Sequence, residues 1–146
     1  MRLRPELVPN ASKERINTVR YKIKEILQHL SDAKNVAPLI HRLNEFCFRN
    51  YDKAFFVYLP QEEKIEDLAR DFAQIPAKKT YLREDELAEL IRRIRQDDPN
   101  SHFYYEVIDV NIDYGAASEI IDFPENQGLK SPEDIAFFIR KCRSFN

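Results

Sequence analysis

The chain has 146 residues, of which 43% are hydrophobic and 33% charged, and its formal net charge is -2 at pH 7. A chain of this length buries enough surface to fold as one compact domain without a metal or a disulfide. Its apolar runs fall short of the roughly 18 residues that a membrane span requires, and its opening, MRLRPELVPN, lacks the apolar core of a secretory signal. We therefore predict a cytoplasmic protein with a single domain over residues 1–146, in which residues 1–11 form a flexible N-terminal arm.

Two amphipathic helices are predicted first. One covers SKERINTVRYKIKEILQHL, where Ser12 is suited to cap the first turn. The other covers VAPLIHRLNEFCF, where Pro38 is tolerated because the first turn of a helix needs no N–H at that position. Apolar side chains recur at three- and four-residue steps and predict one buried stripe on each helix: Ile16, Val19, Ile23, Ile26, Leu27 and Leu30 on the first, and Val36, Leu39, Ile40, Leu43, Phe46 and Cys47 on the second. The short polar segment between them predicts an antiparallel pair.

A strand and two further helices are predicted next. KAFFVYLP, residues 53–60, is short, rich in aromatic residues and ended by proline, which favours a buried strand. EEKIEDLARDFAQIP has an apolar helical stripe that stops at Pro76. In REDELAELIRRIRQDDP, acidic residues open the segment and arginines close it, which is the arrangement that the helix macrodipole favours.

The last part of the chain is predicted to hold two strands and a helix. HFYYEVIDVNIDY, residues 102–114, and EIIDFP, residues 119–124, have the composition of strands joined by a turn at GAAS. SPEDIAFFIRKC predicts a helix that Ser131 caps and Pro132 opens. The predicted order is α-α-β-α-α-β-β-α, an α+β fold of about five helices packed on a small antiparallel sheet of about three strands.

The segment DVNIDYG, residues 109–115, invites two interpretations because acidic or amide side chains alternate along it. A calcium loop of the EF-hand type needs glycine at position 6 and a bidentate acid at position 12. Counting from Asp109, these positions hold Tyr114 and Ile120. The alternation instead predicts a strand with one wet face, with Ile108, Val110, Ile112 and Tyr114 on one side and Asp109, Asn111 and Asp113 on the other.

Motifs for cofactor binding and catalysis are missing from the sequence. Gly115 and Gly128 are the only glycines, so no glycine-rich loop can hold a nucleotide phosphate. His29, His41 and His102 stand far apart, and none is near another histidine or a cysteine at metal-ligand spacing. The two cysteines lie among apolar residues and are predicted to be buried thiols. We predict a protein without cofactor, metal or enzymatic activity.

Charge is distributed unevenly along the chain. Residues 1–50 carry ten Lys and Arg against five Asp and Glu, whereas residues 101–126 carry six acidic residues and no Lys or Arg. Complementary charge speeds association, and aromatic side chains are enriched at interface centres. We therefore predict that the acidic hairpin contacts a partner through Tyr104, Tyr105, Glu106, Asp109, Asp113, Glu119 and Asp122. Such a protein would be a non-enzymatic protein-binding module, of the inhibitor or immunity type, that covers a basic surface of another protein.

Two other functions fit parts of the sequence. The basic residues of the N-terminal helices could follow a phosphate backbone, as in a nucleic-acid-associated regulator. Asp109, Asp113 and Glu119 could converge on a divalent ion in a metal-dependent hydrolase. The mildly acidic chain, with a pI of about 6.0, argues against the first. The lack of Lys and Arg in residues 101–126 argues against the second, because a polyanionic substrate would be repelled there.

Overall fold

The computed structural model describes residues 1–59, 65–112 and 115–143, and the regular secondary structure within these ranges is all helical. Within them it forms eight α-helices, two short 3₁₀ helices (Pro5–Leu7 and Pro124–Gln127) and no β-strand, so the predicted α+β fold is wrong. The α-helices are α1 (Lys13–Ser31), α2 (Ala37–Cys47), α3 (Lys53–Val57), α4 (Ile65–Ala73), α5 (Glu84–Arg95), α6 (Ser101–Asn111), α7 (Ala117–Asp122) and α8 (Pro132–Arg143). None of the helices in the described ranges is long and apolar enough to cross a membrane.

The chain divides into two compact units, each with its own hydrophobic core. Unit 1 comprises Met1–Pro9 and Ala77–Asn146, and unit 2 comprises Asn10–Pro76. Helices α1 to α4 therefore belong to unit 2, and α5 to α8 belong to unit 1. The single domain over residues 1–146 stays a prediction.

In unit 2, α1 packs against α2, α3 and α4. The predicted N-cap is confirmed, because the Ser12 hydroxyl accepts a hydrogen bond from the Arg15 N–H at 3.1 Å. The predicted stripes supply the buried faces of the two helices: Val19, Ile23 and Ile26 of α1, and Ile40, Leu43 and Cys47 of α2. The Arg15 guanidinium donates to the carbonyl oxygens of Ala73 and Phe46, both at 2.7 Å, and so joins the C-terminal ends of α4 and α2.

The strand predicted at residues 53–60 is wrong, because Lys53–Val57 form α3; the last residue of that segment lies outside the described residues. Asp52 begins the helix, since its carboxylate accepts the N–H of Phe55 at 3.1 Å. Phe55 packs in an aromatic cluster, with its ring centroid 5.6 Å from that of Phe72. Aromatic residues favour strands mainly by packing, and here a helical turn supplies the packing instead.

In unit 1, α5 packs against α6, α7 and α8. Leu3 and Leu7, which belong to the predicted arm, are buried in this core. The predicted cap of α8 is confirmed, because the Ser131 hydroxyl accepts the Asp134 N–H at 3.1 Å. The inward faces of the two longest helices of this unit are apolar: Leu87, Leu90, Ile91 and Ile94 on α5, and Ile135, Ala136 and Ile139 on α8.

A buried carboxylate determines how the N-terminal segment meets α5. Glu86 is only 1% exposed, and its oxygens accept hydrogen bonds from Arg4 Nε at 2.7 Å and Arg4 Nη2 at 3.0 Å. The Arg83 N–H donates to the same carboxylate at 3.0 Å. Burial by itself raises the pKa of Glu86, but the hydrogen bonds from Arg4 and Arg83 outweigh it and hold the pKa below its ordinary value. The ionised carboxylate is therefore part of the folded core.

The main predicted strand, residues 102–114, is also wrong. The chain is helical to Asn111 in α6, and Asp113 and Tyr114 lie outside the described residues. The buried residues of α6 follow the helical period: Phe103, Tyr104, Val107, Ile108 and Asn111. A strand would place Phe103 and Tyr104 on opposite faces, whereas the helix buries both. The β-branched residues at 108–112 also alternate with polar residues, but this short alternation does not make the segment a strand. The buried residues of α6 follow the helical period instead.

The second predicted strand, residues 119–124, is replaced by two short helices. Ala117–Asp122 form α7, and Pro124–Gln127 form a 3₁₀ helix. Ala117, Ile120 and Ile121 of α7 are buried at helical spacing. The predicted acidic hairpin is therefore a pair of helices.

Two valine substitutions distinguish the helix from the strand. Val107 is 1% exposed and Val110 is 37% exposed. We expect Val107→Ala to lower the free energy of unfolding by about 2 kcal/mol, because it removes buried methyl groups and leaves a cavity. We expect Val110→Ala to change it by less than about 0.5 kcal/mol, as is usual for surface positions. Urea unfolding followed by circular dichroism measures both, and a larger loss from Val110→Ala would restore the strand interpretation.

The Arg4–Glu86 pair predicts both a mutant cycle and a pH dependence. Glu86→Gln should lower the free energy of unfolding by about 1–3 kcal/mol. Arg4→Met should cost more, because it leaves a buried carboxylate without its guanidinium, and the double variant should recover part of that loss. A lowered folded-state pKa means that the stabilisation is full above the unfolded pKa of roughly 4.3 and is lost as pH falls through the folded value.

Thermal unfolding of the four proteins between pH 7 and pH 3 tests this prediction. The wild type should lose stability more steeply below about pH 4.3 than Glu86→Gln does. Additive losses in the double variant, together with parallel pH profiles, would show that Arg4 and Glu86 are not coupled.

Candidate protein-binding surface

The outward face of α6 brings together several of the predicted binding residues. His102, Tyr105, Glu106 and Asp109 follow one another at three- and four-residue steps, on the side opposite the buried face of the helix. His102 and Asp109 are exposed, and Tyr105 and Glu106 are half-buried. The outward face of α6 thus presents one aromatic ring, that of Tyr105, beside the carboxylates of Glu106 and Asp109.

Helix α7 adds a third carboxylate to this face. The Tyr105 hydroxyl donates a hydrogen bond to Asp122 Oδ1. Burial, this hydrogen bond and the charge of Asp122 raise the pKa of the Tyr105 hydroxyl far above its ordinary value, and Arg95 only partly opposes them. The hydroxyl therefore stays protonated at neutral pH and holds the ring and the carboxylate together. Glu119, one turn before Asp122, is exposed.

The surroundings of Asp109 on this surface disfavour its ionised form. Partial desolvation comes first among the causes, the charge of Glu106 adds to it, and together they raise the pKa of Asp109, while His102 lowers it. A raised pKa means that the charged form of Asp109 is disfavoured by its present surroundings. A cation placed next to it would relieve that cost.

Glu106 has a structural role in addition to its charge. Its carboxylate accepts the N–H of Ala77 at 3.1 Å. Farther along α6, the Asn111 side-chain oxygen accepts the N–H of Thr80 at 2.6 Å, and its amide donates to the Val107 carbonyl at 2.8 Å. These two side chains hold the extended segment that leads into α5, so the Glu106 carboxylate already takes part in the fold.

The remaining predicted residues divide between the core and the part that is not described. Tyr104 is 2% exposed, and its hydroxyl accepts a hydrogen bond from Arg93 Nη1 at 3.2 Å, so it belongs to the core of unit 1. Asp113 lies outside the described residues. The structure thus brings Tyr105, Glu106, Asp109 and Asp122 to one surface. We call these four residues, together with Glu119 of α7, the acidic face. The part that these residues play in binding stays a prediction.

The acidic side chains of α6 and α7 and the basic side chains of α1 differ in the internal contacts that they make. Asp109, Glu119 and Asp122 form no ion pair within the described ranges. By contrast, Arg20 of α1 pairs with Glu66, and Lys22 lies 5.5 Å from the Phe46 ring centroid. Several positive charges of the N-terminal region therefore take part in internal contacts, whereas the Asp109 and Glu119 side chains of the acidic face do not.

Sequence reasoning missed a cleft beside Tyr105. Its lining includes Arg95, the last residue of α5, Asp97 two residues later, and Ser101 at the start of α6. Its volume is about 340 Å³. A helical interpretation of residues 101–111 would have placed Ser101 and Tyr105 on one face, but no local signal links them to Asp97. The cleft depends on how α5, α6 and α7 pack.

Among the described residues, other side chains that could bind a metal or act as a nucleophile do not cluster at the acidic face. Among the residues that the structure describes, no three His, Cys, Asp or Glu side chains converge as a metal site would require. Cys47 is buried, and burial raises the pKa of its thiol although Arg15 and Arg49 lower it. Cys142 is half-buried rather than fully buried.

Comparison with known proteins leaves the function to be inferred from these residues. The chain matches no protein-family model, no curated protein and no solved structure. The acidic face and the adjoining cleft are the features from which a function can be argued.

Proposed function

We propose that the protein is a non-enzymatic, cytoplasmic module that binds another protein, and that its acidic face covers a basic surface of that partner. The pair of helices α6 and α7 takes the place of the predicted hairpin as the carrier of the contact. The observation that carries the proposal is that Asp109, Glu119 and Asp122 are all exposed on α6 and α7 and form no ion pair in the described structure. An inhibitor or immunity-type protein that blocks a basic substrate groove, such as that of a nuclease, would use a surface of this kind.

The charge of the acidic face supports a basic partner. Residues 101–126 contain six acidic residues and no Lys or Arg. Exposed like charges produce a field that attracts a complementary surface and raises the association rate, most strongly at low ionic strength. The raised pKa of Asp109 adds a thermodynamic reason, because an approaching cation stabilises its charged form.

Two aromatic rings provide apolar contact area for a partner, which the charged groups alone do not provide. Tyr105 is half-buried and its position is held by Asp122, so little side-chain entropy is lost when a partner covers it. Phe123, the next residue after α7, is 54% exposed. Aromatic side chains of this kind dominate binding energy when they become desolvated at an interface.

Binding of nucleic acid by the N-terminal helices has less support. Unit 2, which contains these helices, carries 11 Lys and Arg against 10 Asp and Glu and is nearly neutral. Arg15 donates to the carbonyl oxygens of Ala73 and Phe46, and Arg20 pairs with Glu66. A polyanion needs a concentrated positive surface, and these contacts reduce the positive charge that α1 can present.

Charge reversal on the acidic face tests the proposal. A partner is captured from lysate with the full chain and identified, and its affinity is then measured for Asp109→Lys/Glu119→Lys. We expect a loss of about 100-fold or more, because two like charges would face a basic surface. Neither side chain forms a hydrogen bond or ion pair in the described structure, so circular dichroism and the melting temperature should stay close to wild type.

The matched control is Lys22→Glu/Lys24→Glu on α1, which changes the charge by the same amount with opposite sign in unit 2. It should leave the affinity within about threefold of wild type. Loss of binding in the α1 variant with full binding in the α6–α7 variant would refute the proposal and move the functional surface to the N-terminal helices.

A further inference from the structure

The cleft beside Tyr105 is the cavity of unit 1 that adjoins the acidic face. Two buried isoleucines, Ile94 of α5 and Ile121 of α7, line its inner part. Tyr105 and Asp122 line it as well, and they are joined to each other by a hydrogen bond. Its volume of about 340 Å³ is at the lower end of the roughly 300–1,000 Å³ typical of ligand pockets.

The charges around the cleft favour a cation. Asp97 and Asp122 both line it, and neither forms an ion pair in the described structure. Arg95 is the single cation among its described lining residues, and Arg95 Nη1 donates to the Ile121 carbonyl oxygen at 2.8 Å. Two carboxylates therefore remain against one guanidinium that already has a backbone acceptor. Asp109, close enough to act on Tyr105, adds to the negative potential.

We infer that this cleft accepts an arginine side chain of the basic partner, which makes it the specificity pocket of the acidic face. The inference rests on the proposed function. The apolar stem of arginine suits the isoleucine lining, and its planar guanidinium can stack on the Tyr105 ring and pair with the Asp122 or Asp97 carboxylate in two parallel hydrogen bonds. Lysine has the same charge but neither the planar group nor the fork of donors, and its ammonium is more strongly hydrated.

The hydrogen bond between Tyr105 and Asp122 preorganises the pocket in the free protein. It holds the ring and one carboxylate at adjacent positions, so both are ready when a guanidinium enters. An acceptor that is fixed in advance loses less entropy on binding than one that must be ordered. The cleft would therefore discriminate by shape and charge together, whereas Asp109 and Glu119 contribute charge only.

A titration with small probes tests the pocket without the partner. The full chain is followed by amide NMR while Nα-acetyl-arginine amide, its lysine counterpart or its citrulline counterpart is added. Citrulline keeps the shape of arginine without its charge. We expect the arginine probe to shift the resonances of residues 94–105 and 121–122 to saturation at millimolar concentrations. The lysine and citrulline probes should bind at least about tenfold more weakly, because lysine lacks the planar fork that forms two parallel hydrogen bonds and citrulline lacks the positive charge.

Conservative variants localise the binding to the two carboxylates. Asp122→Asn and Asp97→Asn should each weaken the arginine probe about tenfold. The amide oxygen of asparagine still accepts the Tyr105 hydroxyl at position 122, and asparagine tolerates the positive φ of 57° at position 97, so both variants should fold. Asp134→Asn on α8, an exposed aspartate outside the cleft lining, is the matched control and should leave the affinity unchanged.

The outcomes separate this inference from the proposed function. Equal binding of the arginine, lysine and citrulline probes, or arginine binding that survives both Asp97→Asn and Asp122→Asn, would overturn the arginine pocket. If Asp109→Lys/Glu119→Lys abolishes partner capture while the arginine probe does not bind the cleft, the acidic face stands and the pocket falls. If the arginine probe binds as expected but no partner depends on Asp109 and Glu119, the proposed function falls and the cleft remains an arginine site.

Discussion

Burial of the Glu86 carboxylate against the Arg4 guanidinium is the constraint on which unit 1 depends. A carboxylate taken out of water is costly unless it is paired and fully hydrogen-bonded, and Glu86 meets that condition with two bonds from Arg4 and one from the Arg83 N–H. The pair ties the N-terminal segment to α5, and α5 is the helix against which α6, α7 and α8 pack. The position of the acidic face therefore follows from a contact between residues 82 positions apart.

The same helix pairs a second buried carboxylate within the fold. Glu89 is largely buried and accepts hydrogen bonds from Arg92 at 2.7 Å and Arg93 at 3.3 Å, and Arg93 also donates to the Tyr104 hydroxyl. Burial alone raises the pKa of Glu89, but these two guanidinium groups hold it below the ordinary value. Glu86 and Glu89 are thus paired within the fold, whereas Asp109 of α6 and Glu119 of α7 form no ion pair in the described structure. This division of charge, rather than the net charge of -2, supports binding to a basic surface.

The local signals in the sequence were sufficient for most helices and misleading for three. Ser12 and Ser131 cap helices as predicted, because capping depends on residues only three positions apart. In α6, β-branched residues at 108–112 also satisfy a period of two, and that short pattern obscured the 3.6-residue spacing from Phe103 to Asn111. In α3, the helix signal was the Asp52 cap, which strand propensity masked.

The candidate site was predictable in composition but only partly in geometry. Charge along the chain was enough to single out Asp109 and Asp122, and helical spacing alone would have assigned Tyr104 to the core and Tyr105 to the surface. The contact between Tyr105 and Asp122, and the cleft that includes Asp97, depend on how the consecutive helices α5, α6 and α7 pack against one another. No single-sequence pattern encodes such contacts.

Carboxyl labelling of the native chain tests the central claim, that the fold pairs the buried Glu86 carboxylate of α5 and leaves Asp109 and Glu119 exposed without an ion pair in the described structure. The full chain is treated with a carbodiimide and an amine at neutral pH, and the modification rate of each acid is read by peptide mass spectrometry. Asp109 and Glu119 should react at rates near those of the unfolded chain, and Glu86 about 100-fold or more slowly, because it reacts only when the core opens. Labelling of Glu86 as fast as Asp109, or protection of Asp109 and Glu119 in the free protein, would contradict the account.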